Sequence, residues 1–180
     1  MEARGLERQL SDKTAGRRLG VYLGLGSNLG DRQENLAKAV KALNAGPELS
    51  VLRTSGIYET APWGRSGQPD FFNMVAEVST TLAPQQLLDR VKDLEKKLGR
   101  KPGPRFGPRL IDMDILLYGD KVVDEPDLHI PHAGLHLRAF ALVPLADLAP
   151  DTVHPVIGAT IAQLAGRVDG LDGVKPLFQG

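Results

Sequence analysis

No cysteine occurs among these 180 residues, which excludes disulfide frameworks, thiolate metal sites and cysteine nucleophiles and is compatible with a reducing compartment. Neither sign of charge is in surplus. The 22 Lys and Arg balance 22 Asp and Glu, so there is no global electrostatic footprint for nucleic acid or an anionic membrane, and any phosphate binding must be local. No apolar run approaches membrane-spanning length, and the N-terminus lacks the apolar core of a secretion signal; a cytoplasmic protein is expected. Two common nucleotide loops are also missing. The first glycines run G-x-G-x-x-x-G from Gly24 to Gly30, with Leu29 where the dinucleotide fingerprint wants its third glycine, and no Gly-Lys-Ser or Gly-Lys-Thr occurs for a P-loop.

At 42% hydrophobic residues and 19.4 kDa, the chain can bury one substantial core. A single domain over 20–180 is expected, preceded by a polar, flexible extension over 1–19. The most informative stretch is Arg105 to Tyr118, which sets Asp112 and Asp114 inside an apolar run behind Arg105 and Arg109. Read as a strand, it points Leu110, Asp112, Asp114 and Leu116 to one face and Ile111, Met113, Ile115 and Leu117 to the core. The two carboxylates then stand about 6.5 to 7 Å apart, from the rise of a strand, within range of shared or bridged divalent ions. A lone D-x-D is more often salt-bridged on an exposed face. Here Arg100, Lys101, Arg105 and Arg109 converge on the same strand entrance, and arginines suit phosphate as carboxylates suit Mg²⁺ held against phosphate. A metal–nucleotide site follows as the first reading.

Around it the elements come in order. Val21 to Leu25 reads as a strand, and Asp31 caps a helix carrying Leu36, Val40 and Leu43 until Gly46-Pro47. For Gly26-Ser27-Asn28-Leu29-Gly30 between them, a tight strand-to-helix connection is an adequate account. Leu49 to Thr60 forms a second strand, and a Gly/Pro-rich loop over 61–69 holds Trp63, the only tryptophan. In the third strand, Phe71 to Thr80, Phe71 and Asn73 share a face, a ring and an amide suited to a flat heterocycle. Pro84 opens an amphipathic helix ending at Gly99, with Glu95 the one polar residue on its apolar stripe. Gly119-Asp120 is expected to turn a hairpin into Lys121–Asp124, Arg138–Val143 to form a short helix broken near Pro144, and Thr160 with Gln163 to cap a last helix. His129, His132 and His136 lack the company of a zinc site. Strand, helix, strand, strand, helix, strand is the βαββαβ core of a ferredoxin-like α+β fold, an antiparallel sheet with helices on its faces, here with a C-terminal addition.

With Gly26-Ser27-Asn28-Leu29-Gly30-Asp31, Phe71-Phe72-Asn73, Gly107-Pro108-Arg109-Leu110-Ile111-Asp112-Met113-Asp114-Ile115 and Pro131-His132 in this order, the chain closely resembles the bacterial 6-hydroxymethyl-7,8-dihydropterin pyrophosphokinases of folate biosynthesis. The resemblance spans about Val21 to Pro150 and implies transfer of the terminal pyrophosphate of ATP, the co-substrate, to the hydroxymethyl group of a reduced pterin. It further implies that Asp112 and Asp114 bind two Mg²⁺ ions, with Asp112 also at the substrate, and that Arg100 and Arg109 act catalytically on the transferring phosphates. His132 and Arg138 would contact the nucleotide, with Glu95 and Ile115 lining its pocket. Phe71 and Phe140 would sandwich the pterin, Asn73, Thr60 and the backbone near Ala61 would read its edge, and Trp63 would close over it. Three positions depart from the family pattern: Pro102 replaces a second arginine in a loop one residue short, Phe106 replaces a tryptophan, and Ala133 follows His132. Lys101 or Arg105 is the expected substitute for the arginine. A monomer acting on small molecules, without nucleic acid or membrane, is expected. The alternatives are a palm-like two-metal nucleotidyl transferase and an RNA-binding sheet, the latter opposed by neutral charge and the absence of an aromatic RNP motif.

Overall fold

The computed structural model describes residues 20–178; the expected extension over 1–19 lies outside them. Five strands carry the main sheet before a short sixth closes one edge. Strand β1 (Val21–Ser27) lies at its centre, bonded antiparallel to β4 (Phe71–Thr80) on one side and β5 (Asp112–Tyr118) on the other. Beyond β4 come β2 (Leu49–Thr54) and β3 (Tyr58–Thr60). The second strand expected from the sequence is thus split in two. The break is at Ser55, whose N–H donates to Val75 O at 2.9 Å while its Oγ accepts from Val75 N at 2.9 Å, replacing ladder bonds and freeing the chain to bend.

Helices α1 (Arg32–Leu43) and α2 (Pro84–Lys97) cover one face of the sheet. Asp31 caps α1 by accepting from Glu34 N at 3.0 Å. Leu36 and Leu43 of α1 and Leu87 and Val91 of α2 are all but fully buried against Leu23, Leu25, Phe72, Met74, Met113 and Ile115, each such side chain contributing about 1.5–3 kcal/mol of transfer free energy. The β1–α1–(β2,β3)–β4–α2–β5 path with strand order β5-β1-β4-β3 is the ferredoxin-like arrangement.

The C-terminal addition covers part of the opposite face with α3 (Ala139–Leu148) and α4 (Ile161–Ala165). Helix α3 runs through Pro144 and does not break there. Proline withholds one N–H from the ladder, but Ala141, Leu142, Pro144 and Leu145 are buried together, and that packing outweighs a single missing bond. Thr160 and Gln163 make the expected reciprocal cap, Oγ1 accepting from Gln163 N at 3.1 Å and Oε1 from Thr160 N at 3.0 Å.

Two further expectations change. Tyr118–Lys121 does turn, Lys121 N donating to Tyr118 O at 3.0 Å. Yet β6 (Val123–Glu125) pairs with β7 (Leu128–Ile130) and not with β5, because Pro126 and Asp127 supply a tighter turn. In β5 the alternation fails after Ile115. The register against β1 passes from Leu23↔Ile115 to Tyr22↔Leu117, leaving Leu116 as an extra residue. This bulge turns Leu117 to the α3 side, where it packs with Leu116, Tyr22 and Val75.

His154 sits in the turn between α3 and α4, 4% exposed, its Nδ1 accepting from Val156 N at 3.3 Å and Ile157 N at 3.2 Å. Burial, and secondarily the nearby His136, holds its pKa below 6.5. The fold therefore keeps a neutral ring, whose contribution to stability is whole above about pH 6.5 and declines on acidification as the unfolded chain takes the proton first. His154→Asn, whose Oδ1 can accept the same amides without titrating, should lose less stability than the parent between pH 7.5 and 5 in denaturant titrations. Equal losses would count against this role.

Candidate functional site

The open part of the α3-side face holds a cleft of about 630 Å³. Its floor is set by cross-strand pairing: Asp112, Gly26 and Asn73 form one row across β5, β1 and β4, and Asp114, Gly24 and Val75 the next. Glycine at these β1 positions leaves bare backbone between the carboxylates and the amide. A Cβ on Gly26 would stand 2.9 Å from Asn73 Oδ1, so a side chain there would displace the amide.

At one end, Asp112 Oδ1 pairs with Arg100 at 2.8 Å, and the same guanidinium binds the carboxylate of Glu95. Glu95 is 1% exposed. Its Oε1 accepts from Met113 N at 2.6 Å, the edge amide between the two aspartates, and from Lys92 Nζ at 3.2 Å, while Lys92 also donates to Met113 O at 3.2 Å. Burial raises the pKa of both Asp112 and Asp114. For Asp112 the neighbouring Asp114 adds to the rise and Arg100, Lys92 and Arg109 oppose it; for Asp114, Lys92 and Arg138 oppose and Glu95 adds. At both carboxylates burial outweighs the surrounding cations. Two hard carboxylates facing an open cleft fit Mg²⁺, which takes one or two protein carboxylates and completes its shell with water and substrate phosphates. Among the described residues no cluster of three or more His, Cys, Asp or Glu could hold a metal by itself.

At the other end, Asn73 Nδ2 donates to Thr60 Oγ1 at 2.7 Å, and Phe71, Phe140, Ala61 and Trp63 border the same space. Trp63 meets Phe106 edge to face with centroids 5.4 Å apart. Arg138 spans the middle, its guanidinium carbon 4.8 Å from the Trp63 ring centre and 5.8 Å from that of Phe140, with Nε buried and unpaired. Burial, with Arg138 the next cause, pushes the His132 pKa down to about 4, so the ring is neutral, with Nδ1 accepting from Gly134 N at 3.2 Å and Nε2 3.3 Å from Arg138.

Of the residues singled out in the sequence, Thr60, Ala61, Trp63, Phe71, Asn73, Arg100, Arg109, Asp112, Asp114, His132, Arg138 and Phe140 all border this cleft. Two do not line it. Ile115 belongs to the core under α1 and α2, as its place between Asp114 and the bulge requires, and Glu95 lies behind Arg100, held at the β5 edge by Met113 N. Sequence reasoning missed Lys92, which borders the cleft; its signal was position three residues before Glu95 on one helix. Of the two basic residues expected to replace the arginine lost to Pro102, Arg105 reaches the cleft.

Known proteins resemble this chain in sequence and in fold. The profile of the 7,8-dihydro-6-hydroxymethylpterin-pyrophosphokinase family matches residues 22–150. The chain is 43% identical to a 2-amino-4-hydroxy-6-hydroxymethyldihydropteridine pyrophosphokinase of Aquifex aeolicus over 136 residues, covering 76% of this chain and 84% of that one. The enzyme of the same name from Methylorubrum extorquens is 43% identical over 157 residues, 86% of this chain and 98% of its own. In three dimensions the chain resembles the HPPK-DHPS protein of Plasmodium falciparum, crystallised as wild type with SDX-DHP, with TM-score 0.67 and 16% identity over 83% of this chain and 44% of that one. The chain thus spans less than half of that structure, and the likeness at this identity concerns the fold. No helix among the described residues is long and apolar enough to cross a membrane.

Proposed function

The chain belongs to the 7,8-dihydro-6-hydroxymethylpterin-pyrophosphokinase family of folate biosynthesis, and we propose that its cleft moves the terminal pyrophosphate of ATP onto the hydroxymethyl oxygen of 6-hydroxymethyl-7,8-dihydropterin. The observation that carries this reading is the juxtaposition, in one cleft, of two half-buried carboxylates beside arginines and a ring-and-amide pocket. The pterin oxygen forms a bond to the β-phosphorus, the bond from that phosphorus to the oxygen bridging the α-phosphate breaks, AMP leaves, and the hydroxyl proton passes to solvent.

Little covalent work falls to side chains in such a transfer, so positioning and charge neutralisation dominate. Phe71 and Phe140 hold the ring by stacking, and Asn73, oriented by Thr60, reads its edge. Arg100 and Arg109 neutralise charge that builds on the transferring phosphates. Arg138 and the neutral ring of His132 contact the nucleotide. Asp112 and Asp114 would hold Mg²⁺, which when bound would supply positive charge against the substrate phosphates. The protein is proposed to act as a cytoplasmic monomer of one domain on small molecules alone.

The decisive experiment incubates the protein with ATP, Mg²⁺ and the pterin and identifies the nucleotide product. AMP formed only when the pterin is present is the expected outcome; ADP, or pyrophosphate released without transfer, would sink the reading. Closure of the loop over 61–69 is read from Trp63, which is 42% exposed. Its fluorescence should change when pterin and a non-transferable ATP analogue are both bound, as a lid excludes water. An unaltered spectrum at saturating ligands would count against a closing loop.

A further inference from the structure

The Ser27-Asn28-Leu29-Gly30 turn needs only local bonds to join β1 to α1, and Asn35 supplies them through Nδ2, bonded to Ser27 Oγ at 3.1 Å and Leu29 O at 2.8 Å. Asn28 makes quite different contacts. It is 1% exposed, and its partners lie 40, 41 and 81 residues away. Nδ2 donates to Gln68 Oε1 at 2.9 Å and to Pro69 O at 3.0 Å, Oδ1 accepts from Arg109 N at 2.7 Å, and its backbone N–H donates to Arg109 O at 3.0 Å. Every polar group of the side chain is engaged, and the amide orientation is fixed because Arg109 N can only donate and Pro69 O can only accept.

Gln68 completes the connection. Its Nε2 donates to Phe106 O at 2.7 Å and to Arg65 O at 2.9 Å, so the loop bearing Trp63 is bonded to the loop bearing Arg109 both directly and through Asn28. Phe106 has φ 57°, a left-handed conformation costly for a phenylalanine, which persists only where surroundings over-determine it. Those surroundings are the Gln68 bond, the Trp63 edge contact, and Gly64, where a Cβ would come within 3.2 Å of the Phe106 ring.

We propose that Asn28 and Gln68 are positioning residues that clasp the two loops into one unit, so that Arg109 is seated only when the Trp63 loop is in place. Resting on the reaction proposed above, this couples the placement of the loop that borders the ring-binding end to the placement of the arginine at the phosphates. Neither residue touches the reacting atoms.

Two conservative variants test the clasp. Gln68→Glu keeps the acceptor for Asn28 but cannot donate to Phe106 O, and Asn28→Asp keeps the acceptor for Arg109 N but loses both donations to the Trp63 loop. Hydrogen exchange of the unliganded proteins, followed by mass spectrometry on peptides covering 104–110, should be at least roughly tenfold faster in each variant than in the parent, since each loses two hydrogen bonds worth roughly threefold to tenfold apiece. In the transfer assay, run well below the thermal midpoint of each variant, kcat should fall by a similar factor while the KM for ATP stays close to parental, a split that general destabilisation would not give. Parental exchange rates over 104–110 in both variants would overturn the clasp; faster exchange with parental kcat would overturn its role in positioning. Because the exchange comparison needs no substrate, it remains decisive even if the parent formed no AMP, a result that would refute the proposed reaction instead.

Discussion

Asp114→Asn yields a folded protein whose turnover is reduced by roughly a hundredfold or more, the scale on which removal of a group that organises transition-state charge is felt. The substitution nearly keeps the shape of the side chain while removing the charge that burial already disfavours, so thermal stability should hold or rise slightly. An aspartate engaged only in a surface ion pair would behave differently, costing about 0–1 kcal/mol of stability and no turnover. The variant should also need more Mg²⁺ to reach half-maximal rate. Near-normal turnover with an unchanged Mg²⁺ dependence would return β5 to a structural reading and leave Mg²⁺ without its proposed ligands.

Glu95→Ala carries the second large effect, on stability and activity together. The carboxylate satisfies Met113 N, neutralises Arg100 and Lys92, and is almost wholly buried. Its removal leaves an edge amide unpaired, Lys92 without its carboxylate and Arg100 with Asp112 alone; breaking such buried pairs costs about 3–5 kcal/mol. Arg100 and Lys92 keep 25% and 39% of their side-chain surface exposed, so solvent recovers part of this and the lower end is expected. Denaturant titration without Mg²⁺ isolates the stability loss. Turnover measured on the folded fraction should fall as well, since Arg100, already paired with Asp112 at 2.8 Å, is then held by that carboxylate alone; a loss below about 1 kcal/mol would show that Glu95 behaves as a surface group.

The fold was legible because local and global signals agree: the caps at Asp31 and Thr160, the stripe of α2 and the alternation of Phe71–Thr80 each point to the element that forms. What escaped the sequence depends on partners distant along the chain. The bulge at Leu116 is a property of β5 against β1, and neither strand alone encodes it. Pro144 looks like a stop until the burial of both sides of α3 is known. The strand read from Leu110 onward begins only at Asp112, where Asn28 has taken both backbone groups of Arg109 and held the approach as a loop. At the site, spacing alone exposed Asp112, Asp114 and the Phe71–Asn73 face. Arg138, His132 and Phe140 came only through family resemblance, because nothing near them in sequence marks a ligand. Asn28 was legible as a turn residue and no further, its partners being up to 81 residues away.

The two-residue strand β8 (Lys175–Pro176) has a consequence for how the protein behaves in concentrated solution. It pairs with Tyr58 and Glu59 of β3, and Leu177 N adds a bond to Ile57 O at 2.8 Å, closing a stretch of edge that could otherwise recruit a strand from another molecule. A proline that cannot donate and a lysine that repels its like are what face outward in its place. On the opposite edge, Lys92 and Glu95 occupy both backbone groups of Met113, and His132 N donates to Leu116 O. The side chains that hold the aspartates therefore also deny that edge to intermolecular pairing, so loosening the site and inviting self-assembly are consequences of the same loss.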